Sequence, residues 1–458
     1  MTSMFRRKTA AILAACAVFA AGVAGFARHR TADMASISKT DALRVTVAPG
    51  YALQWVAGEF TAPVGVATGA HGEVYVAESG DGGHSARVLK VMPGRGRNTV
   101  ATDFPAPLTG LTWHEGKLYV SYVGGIDVLD PTSGLHYPVL HRLPARGDHP
   151  NGAVAFSPDG KLYFGIGSAT NSGVVGLDNV ERGWVTAYPD TRDIPCKPMQ
   201  LRGANFSVRN PLTPDPYDMI TTGAFSAFGR TTARLQPVSA SLPCNGAVLR
   251  ANRDGSGLEM VAWGLRDPYG LAFSPDGHLF ATNGGYEDRG SRPVVGDRDY
   301  LYRLEAGRWY GFPDFAGGEP VNRAELQKEA LPAGLLLAET PEQPPEPLST
   351  FPHQSDPKGL LFPPDLFGLG GDALVALAGP RGQAIARVSP RTGTTSPFVR
   401  NDRRSPDGPG LQRPYALAAS ANGEVYVIDY GQVRTGPRGP EPLAGTGLLL
   451  KLTRERRP

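Results

Sequence analysis

Six times along this chain a glycine is followed at once by a run of β-formers: GEVYVAES from Gly72, GKLYVSYV from Gly116, GKLYFGIG from Gly160, GHLFATNG from Gly277, GDALVALA from Gly371 and GEVYVIDY from Gly423. A short apolar segment precedes each one: APVGVATGAH, APLTGLTWHE, HPNGAVAFSPD, DPYGLAFSPD, DPKGLLFPPD and RPYALAASAN. Each segment carries a proline near its start and ends at the turn before the glycine. The alternation of apolar residues, broken by turn-forming types, reads as strand, tight turn, strand. Such a hairpin cannot bury both faces alone, so the units must stack on one another. Gly72, Gly116 and Gly160 stand 44 residues apart, the length of a four-stranded blade, and the wider later gaps read as insertions. The expectation is an all-β chain, a six-bladed β-propeller over residues 40–458. The stretch 174–243, polar and unlike the repeats, is expected as a loop insertion on one blade. The best helical candidate, Asn322 to Ala338, is short.

The 58 glycines and 42 prolines agree with a turn-rich fold, and the 41% hydrophobic content supplies a core. A formal charge of +3 over 458 residues is too small for a nucleic-acid-binding surface, so any basic function must be local. Residues 1–30 read as a signal peptide or N-terminal membrane anchor: Arg6, Arg7 and Lys8 precede an apolar run of small residues. That places the protein in the periplasm or outside the cell. Cys16 lies in LAAC, which resembles a lipoprotein box, so membrane attachment through the N-terminus is a further option. Setting Cys16 aside, Cys196 and Cys244 are natural partners for a disulfide in an oxidising compartment. The bridge would staple the insertion.

In a propeller the first strand of each blade lines the central channel. The positions just before each leading proline are therefore equivalent: Ala62, Ala106, His149, Asp267, Asp356 and Arg413, with Asp148 and Arg266 one step earlier. Any one of them alone reads equally well as a solvated turn residue. Four ionisable residues at one topological position point to a shared axial pocket. There, an aspartate beside a histidine can orient the ring for general-base work, and arginines can bind an anion. His353 and Lys358 flank the fifth of these positions and can reach the same pocket. Trp309 and Tyr310 read as blade packing.

Three stretches, DHPNGAVAFSPDGKLYFGIGS, WGLRDPYGLAFSPDGHLFATNGG and DYLYRLEAGRWYGFPDF, resemble the soluble pyrroloquinoline-quinone-dependent glucose and sorbosone dehydrogenases, six-bladed propellers. The resemblance runs from about Tyr51 to Thr453. It implies that His149 takes the proton from a sugar hydroxyl while hydride passes to the quinone, with Asp148 as its acidic neighbour. It implies that Arg266 contacts the quinone and stabilises charge developing on it, and that Gly285 and Tyr286, in TNGGYED, hold Ca2+ through backbone carbonyls. The basic cofactor clamp falls on Arg381, where a lysine is usual, and on Arg413. Two further positions depart from the pattern: Asp267 replaces an asparagine and Tyr415 a second arginine. No glutamine stands in the second repeat. The implied protein is a secreted or periplasmic quinoprotein oxidoreductase acting on a small-molecule sugar, with an electron acceptor that the residues do not identify. Two other readings stay open. One is a non-catalytic propeller binding carbohydrate or protein. The other is a calcium-dependent lactonase-like hydrolase, its cage drawn from Asp148, Asp267 and Asp356.

Overall fold

A computed structural model describes residues 39, 41–329, 331–402, 410–436 and 438–455. The N-terminal segment expected to direct export, Cys16 included, lies outside the described residues.

Six sheets of four strands or more surround one axis. Their innermost strands are Pro63–Thr68, Leu108–His114, Ala155–Phe156, Leu271–Phe273, Pro357–Leu361 and Pro414–Ala419. The expected repeats map one to one onto these blades. All six turn glycines, Gly72, Gly116, Gly160, Gly277, Gly371 and Gly423, adopt φ between +78° and +88°, where a side chain would be strained. Blade six closes the ring by taking its outermost strand, Tyr51–Phe60, from the start of the described chain and pairing it with Gly447–Arg454. The second strand of five blades, as in Ala373–Leu377 or Val425–Asp429, is buried at every residue. Each is covered on both faces by neighbouring blades, which is why these strands read as near-continuous apolar runs.

The inner strands meet through small residues. A Cβ on Gly65 would lie 2.7 Å from the Leu111 backbone, and one on Gly110 would lie 2.5 Å from the Ala153 Cα. On Gly270 it would lie 2.0 Å from the Lys358 carbonyl oxygen. The glycine three residues into most of the segments that begin with proline therefore lets each blade touch the next. Between the six inner strands remains a cavity of about 410 Å³, walled by residues such as Val66, Trp113, Phe273 and Leu417.

The insertion leaves blade three after Leu162–Ile166 and returns at Ala247–Ala251. It is more structured than a loop. It carries the short helices Leu177–Glu181 and Trp184–Ala187 and a two-stranded ribbon, Asn205–Arg209 with Met219–Gly223. The expected disulfide joins Cys196 to Cys244, and Cys244 belongs to the largest core cluster. The expected helix over 322–338 is absent among the described residues, where only a 3-10 turn, Ala324–Leu326, forms. Pro332 interrupts it, and the Leu336 and Leu337 amides are drawn instead to the Asp314 carboxylate at 2.8–2.9 Å. Trp309 and Tyr310 are buried, as their reading as packing residues requires.

Candidate active site

One hydrogen bond recurs at four of the six positions before the leading prolines. The carbonyls of Ala62, Asp267, Asp356 and Arg413 each accept an amide from the end of their own blade's second strand, from Ser79, Gly284, Ala378 and Tyr430 at 2.8–3.3 Å. Their amides are capped by buried side chains. Asn283 Oδ1 accepts from Arg266 and Asp267 at 2.9 and 3.0 Å, and the Asp429 carboxylate from Gln412 and Arg413 at 2.7 and 3.0 Å. Proline cannot donate to a ladder, so a side-chain acceptor takes over where the strand begins.

His149 is buried, and its loop is held by tight packing. Gly147 has φ +127°, and a Cβ there would lie 2.5 Å from the Ala169 Cα. A Cβ on Gly167 would stand 2.2 Å from the His149 Cβ. The imidazole Nδ1 lies 3.0 Å from the Ser168 carbonyl oxygen and 3.2 Å from Ser168 Oγ. Ser168 Oγ spends its own proton on the Thr170 carbonyl at 2.7 Å, so Nδ1 must be the donor to both. That assigns the proton to Nδ1 and leaves the lone pair on Nε2, which has no partner among the described residues. Burial, reinforced by the positive charges of Arg266, Arg289 and Lys358, holds the ring well below the usual histidine pKa. The result is a neutral base whose orientation is set from behind.

Asp148 does not orient that ring. Its carboxylate turns the other way, onto Arg289, Asn179 Nδ2 at 3.0 Å and Arg182 at 3.5 Å. Arg289 also reaches Asp178 and Glu287, so one guanidinium ties three carboxylates from the His149 loop, the insertion and blade four. Burial would raise Glu287, but Arg266 and Arg289 outweigh it and hold it at about 2. Behind the same loop Asp193, from the insertion, accepts from the Ala169 amide at 2.7 Å, and burial pushes its carboxyl up to about 7.

Arg266 is buried and fully engaged. Its Nε donates to the Asn171 carbonyl at 2.9 Å, and its terminal nitrogens to Asn171 Oδ1 at 2.8 Å, Glu287 at 3.3 Å and the Gly284 carbonyl at 3.4 Å. Asp267, in place of a neutral amide, is answered by Lys358, whose Nζ lies 2.9 Å from both Asp267 Oδ2 and Asp356 Oδ1. Burial alone would discharge that lysine, but the two carboxylates hold its pKa well above the ordinary value. Asp267 Oδ1 is buried without a partner among the described residues, an acceptor left for a bound molecule. Tyr415 packs edge-on to Tyr269 with ring centroids 5.6 Å apart, beside Lys358.

The remaining expected positions lie further out. Arg413 is half-buried, with its guanidinium 3.4 Å from the Ala378 carbonyl. Arg381, three residues on, is exposed. His353 rests on the Asp297 carbonyl at 2.6 Å. The Gly285 and Tyr286 amides donate to Asp299 and Asp297, each at 2.8 Å, while their carbonyl oxygens accept no hydrogen bond among the described residues. No group of three or more His, Cys, Asp or Glu residues that could hold a metal ion occurs among the described residues. Asp148 is paired with arginines, and Asp267 and Asp356 with Lys358, so the carboxylate cage that a lactonase-like reading needs does not form.

Residues that the repeat could not mark complete the site: Ser168, Asn171, Asp193, Arg289 and Asn283. A signal for some of them stood in the sequence. The run SATNS follows a strand after a single glycine, and all of its residues are buried, an unusual fate for polar residues unless each has a partner.

Together these features define a six-bladed propeller in which a neutral, oriented imidazole stands among buried cations just before an inner strand. No protein-family model matches the sequence, and no curated protein sequence does. Solved structures do resemble it. The PQQ-bound aldose sugar dehydrogenase of Streptomyces coelicolor superposes with a TM-score of 0.53 at 15% identity, over 89% of this chain and 99% of that one. The holo PQQ domain of pyranose dehydrogenase from Coprinopsis cinerea gives 0.56 at 14% identity, over 90% and 97%. The apo soluble aldose sugar dehydrogenase of Escherichia coli gives 0.52 at 14% identity, over 88% and 99%. At such identities the likeness is one of fold.

Proposed function

We propose that this protein is a quinoprotein oxidoreductase that oxidises a sugar hydroxyl outside the cytoplasm. The observation that carries the reading is His149: a neutral imidazole with its proton fixed on Nδ1 and Nε2 free to accept another. Pyrroloquinoline quinone supplies, when bound, the acceptor for a hydride leaving the sugar carbon. Nε2 of His149 takes the hydroxyl proton as that carbon–hydrogen bond breaks. Arg266 and Lys358 surround the imidazole with positive potential, which keeps it unprotonated at rest and favours negative charge developing beside it. Their burial strengthens both effects, because little water screens them.

The residues suit the cofactor's chemistry. A tricarboxylated planar molecule needs cations and polar acceptors in a partly enclosed mouth. Arg413 has guanidinium donors to spare, Arg266 and Lys358 add positive potential although their donors are already paired, and the unpartnered Asp267 Oδ1 is an acceptor. The free carbonyls of Gly285 and Tyr286 are oxygen donors of the kind that calcium prefers. Lys358, set between Asp267 and Asp356, offsets one of their two negative charges and so lowers the repulsion that an anionic cofactor meets there. Export agrees with the Cys196–Cys244 bridge, since disulfides persist in oxidising compartments, and with the apolar N-terminal run. Among the described residues no helix is long and apolar enough to cross a membrane.

The test is titration of calcium-loaded protein with the quinone by absorbance, followed by dye-linked oxidation across an aldose panel. Saturable binding that EDTA weakens, with turnover lost in His149→Ala, is the expected result. Absence of both binding and turnover overturns the reading and leaves a non-catalytic propeller.

A further inference from the structure

A second cavity, of about 720 Å³, lies where the insertion meets blade two. Blade two contributes Tyr122, Gly124 and Arg142, and the insertion contributes Tyr188 and Arg192. Arg146, from the loop that goes on to His149, joins them. Resting on the dehydrogenase reading above, we infer that this cleft binds an acidic saccharide unit, a sugar bearing a carboxylate, as the remote part of the substrate.

Charge is the first argument. Arg142, Arg146 and Arg192 face one carboxylate, Asp190. Arg142 is exposed and has no hydrogen bond or ion pair among the described residues. Its backbone sits at φ +57°, a conformation that costs a non-glycine residue and that clusters at binding sites. Arg192 donates only to the Asp190 carbonyl, at 3.1 Å. Arg146 lies over the Tyr188 ring, 4.0 Å from its centroid, so that guanidinium is already placed before a ligand arrives. Guanidinium forks match carboxylates two bonds at a time.

Size and position are the second argument. The volume is many times the roughly 30 Å³ that a water molecule occupies in the liquid, and it falls within the range of organic-ligand sites. Pro105, Pro144 and Pro189 on the cleft wall offer apolar surface for the carbon face of a sugar ring. Arg146 is three residues from His149, so their Cα atoms are no more than about 11 Å apart along the chain. The Gly124 amide on the cleft wall donates to Asn151 Oδ1 at 3.0 Å, and Asn151 is two residues past His149. One loop therefore serves both the cleft and the base.

Calorimetry on the full-length, cofactor-free protein tests this with digalacturonic acid, its neutral digalactose counterpart and inorganic phosphate. The acid disaccharide is expected to bind at least tenfold more tightly than the neutral one, and the preference to vanish in Arg142→Gln/Arg192→Gln. Equal affinity for acid and neutral sugars overturns the inference. So does phosphate binding as tightly as the acid sugar, or a preference that survives the double substitution. If the double variant melts early, Arg142→Gln alone decides, because Arg142 supports nothing else among the described residues. The measurement needs no turnover, so it stands if the dehydrogenase reading fails. Conversely, neutral-sugar oxidation with no acid preference sinks only this inference.

Discussion

Blades one and two differ from blades three and four in how they treat the axis. The first pair run inner strands of six and seven residues, Pro63–Thr68 and Leu108–His114, and place Ala62 and Ala106 at the mouth. In the second pair the inner strand shrinks to two and three residues, Ala155–Phe156 and Leu271–Phe273, and the mouth carries His149, Arg266 and Asp267. Where the ladder stops, side chains take over its hydrogen bonds: Asn283, Asn171, Asp193 and the Arg289 cluster. Strand pairing gives a blade its stability cheaply but leaves no polar group over. Loops held by buried ions cost more to assemble and present chemistry.

The largest contrast should be kinetic. On the proposed function, His149→Ala is expected to lower turnover by about 10²- to 10⁴-fold, while loss of the Nδ1 hydrogen bonds to Ser168 brings only a small drop in Tm, which separates the site from the scaffold. Next come the ions. Arg289→Ala strands the buried carboxylates of Asp148 and Asp178, and denaturant unfolding should show a loss of about 3–5 kcal/mol. Removing Lys117, whose pair with Asp130 on blade two is exposed at both ends, should leave Tm unmoved. Equal effects would erase the distinction between the blades. Replacing Cys196 and Cys244 by serine releases a 48-residue separation. On the chain-entropy model that costs at most about 4 kcal/mol, and the loss should concentrate in hydrogen exchange of the insertion.

Two pH measurements sharpen the comparison. Lys358 lowers the pKa of His149, so Lys358→Met should raise it and move the acid limb of kcat/KM to higher pH. The effect of Asp193 should be smaller. Its folded pKa of about 7 lies above the ordinary carboxylate value, so the folded form keeps a proton that the unfolded chain releases. Stability is thereby lost between about pH 4 and 7. Asp193→Asn should therefore gain Tm over the parent as pH rises from 5 to 8.

The propeller was legible because its signals are local. A turn glycine forced to positive φ and a proline at a strand start recur wherever a blade begins. The same register put His149, Arg266 and Asp267 just before the inner strands of blades three and four. Function within the mouth was less legible. Asp148 was expected to orient His149 because the two are adjacent in sequence, yet neighbours in an extended segment point opposite ways. The ring is held by Ser168 instead, 19 residues on. Arg289 and Asp193 belong to loops outside the repeat, so only the folded chain shows what they meet. The insertion's short helices escaped notice because five and four residues carry too little periodicity.

The pairing of Tyr51–Phe60 with Gly447–Arg454 has a temporal consequence. Five blades can be synthesised, yet the circle stays open until the last strand emerges to meet one made hundreds of residues earlier. Contacts of such sequence separation form late. The ring of six walls therefore closes only after the strand Gly447–Arg454 has been made, so a nascent chain is spared a half-built pocket of buried charges.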